Sequence, residues 1–325
     1  MAKNSNLHAA KVAKNDEFYT MLTDIEKEMS HYKDFFKDKV VYCNCDDARE
    51  SNFFKYFSKN FEFLGLKKLI TTGYKAEGKG VVLIYEGDKN GNRKVEDDEI
   101  VVRQLEGRGD FRSEECIEFL KEADVVVTNP PFSLFREYVK QLMDYGKKFI
   151  IIGNMNACAD KDIFPYIEKD ELWLGVSPRG IDFILPNGGT SNVNAVWFTN
   201  VEHNKRNTPI DLYKRYSNEY PKYLNYDAIE VGKACDIPYD YDGVMGVPIT
   251  FLDKYCPKQF EIVGCPHANV LPDGWKGMSQ EFVDLYYKQG NKGAYREGNR
   301  LESFIDNNGK AKVPYARVLI RKRTA

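Results

Sequence analysis

The run Asp124-Val125-Val126-Val127-Thr128 is followed at once by Asn129-Pro130-Pro131-Phe132, and this junction constrains the chain more than any other stretch. Three consecutive valines are the mark of a strand buried on both faces, as in a parallel sheet. Two prolines cannot continue a hydrogen-bonded ladder, so the chain must leave the sheet at Asn129. A polar amide is thereby set at the carboxyl end of a strand, where open α/β sheets bind their ligands. The stiff Pro130-Pro131 backbone holds the Asn129 side-chain oxygen and the Pro130 carbonyl as two convergent acceptors, matching the two donors of a planar amino group. Phe132 adds a flat face on which a base drawn from its stack can lie. The competing reading is a strand merely ended by prolines; it leaves the amide and the ring without a purpose.

On either side of this junction, strands and helices alternate. Ile25, Met29, Tyr32 and Phe36 recur at three- and four-residue steps and predict an amphipathic helix within residues 15–37. Residues 39–44 and 67–72 read as strands, residues 51–60 as a helix with Phe53, Phe54 and Phe57 inward. Ser113 caps a helix running to Glu122, and the strand at 124–128 is followed by a helix over 134–145 and a strand over 148–153. A hairpin is predicted from 81–85 and the stretch after Asn90-Gly91, a strong type I′ turn signal. Alternation of this kind builds a doubly wound, mostly parallel α/β sheet covered on both faces. Beyond about Asn200 the periodicity gives way to a Tyr-, Pro- and Gly-rich region with short strands, such as one over 313–321. Two domains are expected, 1–200 and 201–325, consistent with 325 residues exceeding the usual size of one domain.

No apolar run approaches the roughly 20 residues of a membrane span, and residues 1–14 lack the apolar core of a signal peptide, which points to a cytoplasmic site. Seven cysteines and four scattered histidines indicate neither a disulfide framework nor a metal site. The net charge of −2 conceals an asymmetry: residues 286–325 hold ten Lys and Arg against three Asp and Glu, a net of +7. Lys288, Lys292, Arg296, Arg321, Lys322 and Arg323 are candidate phosphate contacts, although a charge run is as often a solvated face.

Further candidates lie at other predicted strand ends. The strand Val40-Val41-Tyr42-Cys43-Asn44 runs into Cys45-Asp46-Asp47, where a first strand delivers a nucleotide-like cofactor to a helix N-terminus. Asn44 and Asp46 are therefore cofactor candidates, Asp46 having helix capping as its plainer alternative. Asp110, in Gly109-Asp110-Phe111, can accept a hydrogen bond from a cofactor amino group. Phe18, Tyr19 and Thr20, before the first helix, offer aromatic and hydroxyl groups that can close over a cofactor, though a capping segment is equally natural. Trp197 is the candidate second aromatic of a base sandwich, with core packing as its alternative.

The segments Asp16-Glu17-Phe18-Tyr19-Thr20, 40–47, Ser51-Asn52-Phe53-Phe54-Lys55-Tyr56-Phe57, Thr128-Asn129-Pro130-Pro131-Phe132 and 246–252 together resemble the EcoRI-type adenine-specific DNA methyltransferases, along essentially the whole chain. The resemblance implies S-adenosylmethionine as methyl donor, adenine N6 of duplex DNA as acceptor, a flipped-out base, and target recognition by the C-terminal region. It also implies a restriction-modification setting, with GAATTC the first site to try and a cognate endonuclease acting separately; a monomer is expected. Two positions depart from the wider methyltransferase pattern. Ala48, Arg49 and Ser51 stand where a glycine-rich turn is usual, and no acidic residue directly follows Ile70-Thr71-Thr72 for a ribose hydroxyl, leaving Glu77 and Glu86 as candidates. The Asn-Pro-Pro-Phe turn also serves RNA bases and protein glutamine amides, so acceptor identity does not follow from it alone. A binding module with a disabled cofactor pocket is the non-enzymatic alternative.

Overall fold

The structure is a computed structural model and describes residues 19–45, 48, 50–184 and 189–323. The valine-rich and isoleucine-rich runs form its strands: β1 (Tyr19–Thr20), β2 (Val40–Cys43), β3 (Lys68–Gly73), β4 (Val81–Tyr85), β5 (Ile100–Gln104), β6 (Val125–Thr128), β7 (Lys148–Asn154), β8 (Trp173–Leu174), β9 (Ile181–Ile184), β10 (Thr190–Val193) and β11 (Ala195–Thr199). Eight of them make one sheet in the order β5-β4-β3-β2-β6-β7-β11-β8. The four central strands β3, β2, β6 and β7 are parallel, β4 and β11 run antiparallel on either side of them, and β5, antiparallel to β4, returns to the central direction at the edge. This is the expected doubly wound α/β arrangement. β2 and β6 are buried along their whole length, as strands covered on both faces must be. Since β2 is followed in sequence by its neighbour on one side, β3, and β6 lies on its other side, the strand order reverses between β2 and β6. That reversal marks the place where such sheets bind ligands.

Helices α1 (Leu22–Met29), α2 (Asn52–Lys59), α4 (Glu114–Glu122) and α5 (Phe135–Asp144) fall where apolar spacing and caps predict them, and a short α3 (Phe61–Leu64) that was not predicted follows α2. Ser51 and Ser113 accept backbone N–H groups of Phe53 and Cys116, supplying the N-terminal caps. Ile25, Met29, Tyr32, Phe36, Phe53 and Phe57 all enter one core with Val41, Val125, Val127, Ile150, Ile152 and Trp197. The β4–β5 hairpin is present, but Asn90-Gly91 does not form its turn. These residues lie within a longer connection, where Asp88 accepts the N–H groups of Gly91 (2.6 Å) and Arg93 (2.5 Å) and Glu96 and Glu99 form a capping box. The tight-turn expectation failed because side-chain acceptors organise the connection in place of a two-residue reversal.

The chain forms two compact units, one of residues up to Met155 with Leu174–His203, the other of Asn156–Trp173 with residues from Asn204 onward. The expectation was a single division near residue 200; instead the chain passes between units three times. Residues 156–173 belong to the second unit because α6 (Phe164–Glu168) packs on β14 (Phe260–Gly264) and Asp170 pairs with Arg206. With β12 (Ala228–Glu230), β13 (Val244–Pro248) and β17 (Arg317–Lys322), β14 forms a four-stranded sheet in the order β12-β13-β17-β14. β15 (Phe304–Ile305) and β16 (Ala311–Lys312) form a small separate pair, and α7 (Gln280–Lys288) is capped by Ser279. Among the described residues no helix is long and apolar enough to cross a membrane.

Candidate active site

At the end of β6 the ladder stops at Thr128, Asn129 is half-buried, and Pro130 and Pro131 turn the chain away. A single 3-10 turn, Phe132–Leu134, closed by the Leu134 N–H on the Pro131 carbonyl (2.9 Å), then feeds α5. The Asn129 Oδ1 is shielded from solvent and Phe132 is partly exposed. The amide therefore stands at the carboxyl end of a central strand, beside the reversal of strand order.

β2 ends in Asn44 at the same edge of the sheet, and hydrogen bonds tie the two strand ends together. The Thr128 hydroxyl donates to the Asn44 backbone carbonyl, and the Tyr138 hydroxyl, from α5, donates to Asn44 Oδ1. Tyr138 is wholly buried, which pushes its pKa far above the ordinary tyrosine value and keeps the hydroxyl proton that it donates. With its oxygen so engaged, the Asn44 amide has its nitrogen left to donate elsewhere.

The Asp110 turn joins this cluster through its neighbour. Phe111 packs edge-on against Tyr138, with centroids 5.0 Å apart. Asp110 itself is held by Arg112, whose backbone N–H, Nε and Nη2 all donate to the carboxylate at 2.6–2.9 Å. Those hydrogen bonds hold its pKa below the ordinary range, so Asp110 is a fixed anionic acceptor: Oδ1 takes two of the donors, while Oδ2 takes one and keeps a second lone pair. Arg112 also reaches Glu137 (3.3 Å).

The missing glycine turn after β2 has a counterpart nearby. Gly109 has φ +83°, and a Cβ on it would lie 2.4 Å from the Gly73 carbonyl oxygen at the end of β3. A Cβ on Gly80 would meet the Gly73 and Arg108 carbonyls at 2.7 Å. Backbones that close admit only glycine, so the turn that delivers Asp110 is built on glycines contributed by β3 and by the connections before β4 and after β5. Sequence reading sought glycines after the first strand and passed over these because they are far apart in sequence.

The remaining candidates separate. Thr20 is buried, and among the described residues its hydroxyl has no hydrogen-bond partner; its backbone carbonyl accepts from Asn52 Nδ2 (2.8 Å). Tyr19 is placed in β1, while Phe18 and Asp46 lie outside the described residues. Trp197 is a correction. It is 1% exposed and packs edge-on against Phe53 (6.2 Å), so the core occupies the ring that was expected to flank a base. It fills β11, a strand buried at every position, where a large ring is drawn inward. The aromatic that does meet Phe132 is Phe183 of β9, edge-on at 6.2 Å and 80°; its lone position in a short strand gave no sequence signal. Glu86 is a second correction. It follows Tyr85, which pairs with Leu69, and it sits near Lys68 (3.8 Å) at the amino end of β3, opposite the edge bearing Asn44 and Asn129. Glu77, in the connection after β3, is exposed at the site's own edge. Among the described residues no three His, Cys, Asp or Glu side chains gather as a metal site.

In the second unit, the basic cluster divides. Arg321 pairs with Glu261 (3.0 Å), Lys322 with Asp242 (3.4 Å) and the Tyr239 carbonyl, and Arg323 donates to the Pro257 carbonyl (2.7 Å). Lys288, Lys292 and Arg296, at the end of α7 and in the loop after it, are exposed and form no ion pair among the described residues. That loop is tied down by Tyr287, whose hydroxyl donates to the Tyr295 carbonyl (2.9 Å) and accepts its N–H (2.8 Å).

Residues 6–323 match the family model described as adenine-specific methyltransferase EcoRI. The chain is 48% identical to the Type II methyltransferase M.EcoRI of Escherichia coli, across 81% of this chain and 89% of that one. It is 36% identical to the Type II methyltransferase M.MgeORF184P of Mycoplasma genitalium, across 98% of this chain and 99% of that one. A solved structure of a putative RNA methyltransferase from Pyrococcus horikoshii is similar at 16% identity over 54% of this chain and 80% of that one, with a TM-score of 0.26, too distant to bear on the site.

Proposed function

The chain belongs to the EcoRI family of adenine-specific methyltransferases, and from that premise we propose that it methylates adenine N6 within a specific duplex DNA site, with Asn129, Pro130 and Phe132 as the groups that touch the base. The observation that carries the residue assignment is the position of Asn129: an amide at the end of β6, beside the reversal of strand order and bonded through Thr128 to Asn44.

S-adenosylmethionine is the donor that such an enzyme uses, its sulfonium presenting a methyl group already activated for transfer. The fit rests on three observations: the fixed acceptor Asp110, the glycine-built turn that carries it, and the Thr20 hydroxyl buried without a partner among the described residues. Asp110, the Asn44 amide nitrogen and the Thr20 hydroxyl are the described groups that would hold the cofactor. The Asn129 oxygen and the Pro130 carbonyl accept the two N6 hydrogens of an extruded adenine. That favours a pyramidal nitrogen with its lone pair aimed at the methyl, so the rate comes from positioning and electrostatics with no covalent enzyme intermediate. Stacking on Phe132, worth about 1–3 kcal/mol, offsets much of the few kcal/mol that extrusion costs. The second unit supplies sequence-independent affinity through Lys288, Lys292 and Arg296. The protein acts inside the cell as a monomer, beside a separately acting endonuclease.

The test is single-turnover transfer to duplexes with and without GAATTC, read as N6-methyladenine. Asn129→Ala removes one of two acceptors and should slow transfer by about 2–4 kcal/mol in barrier terms, by analogy with loss of an oxyanion-hole donor, while cofactor affinity changes much less. A rate within threefold of wild type would remove Asn129 from its role. Absence of methyladenine in every duplex and in genomic DNA would sink the reading itself.

A further inference from the structure

The hairpin whose Phe183 meets Phe132 is joined to α1 by a buried carboxylate. Glu28, on the last turn of α1, is completely buried, and its carboxylate accepts the Tyr32 hydroxyl (2.8 Å) and the backbone N–H groups of Val176 (2.8 Å) and Ser177 (2.6 Å). A buried carboxylate is costly unless it is fully hydrogen-bonded, and here three donors converge on it, two from a turn about 150 residues away in sequence. The turn is drawn in closely: a Cβ on Gly175 would lie 2.3 Å from Glu28 Oε1 and 2.7 Å from Trp197 Cβ, a gap that only glycine fits.

From Ser177 the chain runs directly into β9. There Phe183 pairs with Thr20 of β1, and Asp24 of α1 accepts the Asp182 N–H. α1 therefore grips the hairpin at two points, Glu28 at its entry and Asp24 on its first strand. Phe183 is buried, and its ring meets the partly exposed ring of Phe132 at 80°, with centroids 6.2 Å apart. An edge-on contact constrains the tilt of the rings it joins.

We propose that Glu28 is a positioning residue for methyl transfer: by anchoring the 175–177 turn it fixes the β9–β10 hairpin, and through Phe183 it sets the ring of Phe132 on which the target base stacks. The proposal rests on the functional reading above, since it needs Phe132 to face the base. A ring left free to tilt stacks the base in several poses, only some of which point the N6 lone pair at the methyl, and misplacement of this size is enough to cost about tenfold to a hundredfold in rate.

Glu28→Gln keeps the volume but offers one acceptor where there were two, so one backbone N–H of the turn loses its partner. Expected is a fall of at least about tenfold in single-turnover rate per folded molecule at saturating cofactor and DNA, with cofactor affinity within threefold. Emission from 2-aminopurine placed at the target adenine should change, reporting altered stacking. Phe183→Leu should give the same signature, and the double variant should lose little more than either alone, as residues acting through one contact do. Ile25→Val, on the same helix, is the control for mere destabilisation and should leave rate and emission unchanged. A Glu28→Gln rate within threefold of wild type, or a fall no larger than in the Ile25→Val control, would overturn the proposal. If Glu28→Gln does not fold, Phe183→Leu decides alone, a normal rate and emission overturning it. A wild-type protein that transfers no methyl to DNA adenine would instead mean that the functional reading had failed.

Discussion

In the first unit Glu28, the one completely buried carboxylate among its described residues, accepts three donors, and the strands bearing the candidate site, β2 and β6, bury valine on both faces. In the second unit Glu302 is just as deeply buried, yet its carboxylate oxygens find no hydrogen-bond partner on any other described residue. Around it lie Glu230 and Arg317, themselves paired at 2.6 Å, with the Tyr223 hydroxyl on Glu230 (2.5 Å) and Cys265 nearby. The contrast shows two uses of a buried acid. A carboxylate saturated with donors fixes geometry, whereas one without donors is stable only while it keeps its proton. Both units bury apolar side chains, Phe251, Phe260, Val318 and Ile320 among them in the second, but the second also sets a charged pair, Glu230 and Arg317, against its sheet.

The largest effect expected from this difference is a pH dependence residing in the second unit. Burial raises the Glu302 pKa from 4.5 to about 8. The folded state thus holds a proton that the unfolded chain releases above about 4.5, so stability declines as pH rises from about 4.5 and levels off above about 8. The full decline is on the order of 4–5 kcal/mol at 1.36 kcal/mol per pH unit. Glu302→Gln carries no titrating proton and should flatten the profile, gaining stability over wild type at pH 8 and little at pH 5. Unfolding by denaturant across that range, with hydrogen exchange at the β17 amides, is the measurement. Superimposable profiles for the two proteins would erase the distinction between the acids.

Trp197→Phe sharpens the comparison from the other unit. It trims a ring that packs against Phe53 in the apolar core, and a loss of about 1–3 kcal/mol, independent of pH, is expected from large-to-small core substitution. Duplex affinity and transfer rate per folded molecule should not move. A selective loss of affinity for the target duplex at unchanged stability would return Trp197 to the base-contacting role that its sequence position suggested.

How far each unit could be read in advance follows from the same physics. Valine runs, serine caps and three-to-four spacing are local signals, and β2, β3, β6, β7 and helices α1, α2, α4 and α5 all lie close to where they were expected. The Asn129 turn was legible because proline ends a strand whatever surrounds it. Phe183, Glu28 and the Gly73–Gly80–Gly109 contacts were not, since each matters through a partner tens to about 150 residues away. Trp197 was misplaced because an aromatic in a strand reads alike whether it faces a ligand or a core. In the second unit almost nothing was local: α7 gave no clear periodicity, and the segment 156–173 carries no mark of the unit it joins.

The smallest effects expected concern the basic residues of the second unit, which sequence grouped together and the structure divides. A cation that contacts phosphate releases about one counterion, so neutralising it should weaken binding to every duplex alike and reduce the salt slope by about one unit. Lys292→Ala and Arg296→Ala should each do this, because both side chains are exposed, form no ion pair among the described residues and are carried by a loop that Tyr287 tethers. Their effect on folding should stay within about 0.5 kcal/mol. Arg321→Ala should change the slope less, since its guanidinium already meets Glu261 at 3.0 Å and part of its charge is neutralised before DNA arrives. Affinity against salt concentration for the three variants ranks them directly. A larger slope change for Arg321→Ala than for either loop variant would move the DNA-binding surface from the α7 loop to β17, and with it the part of the second unit whose charge is free to be used.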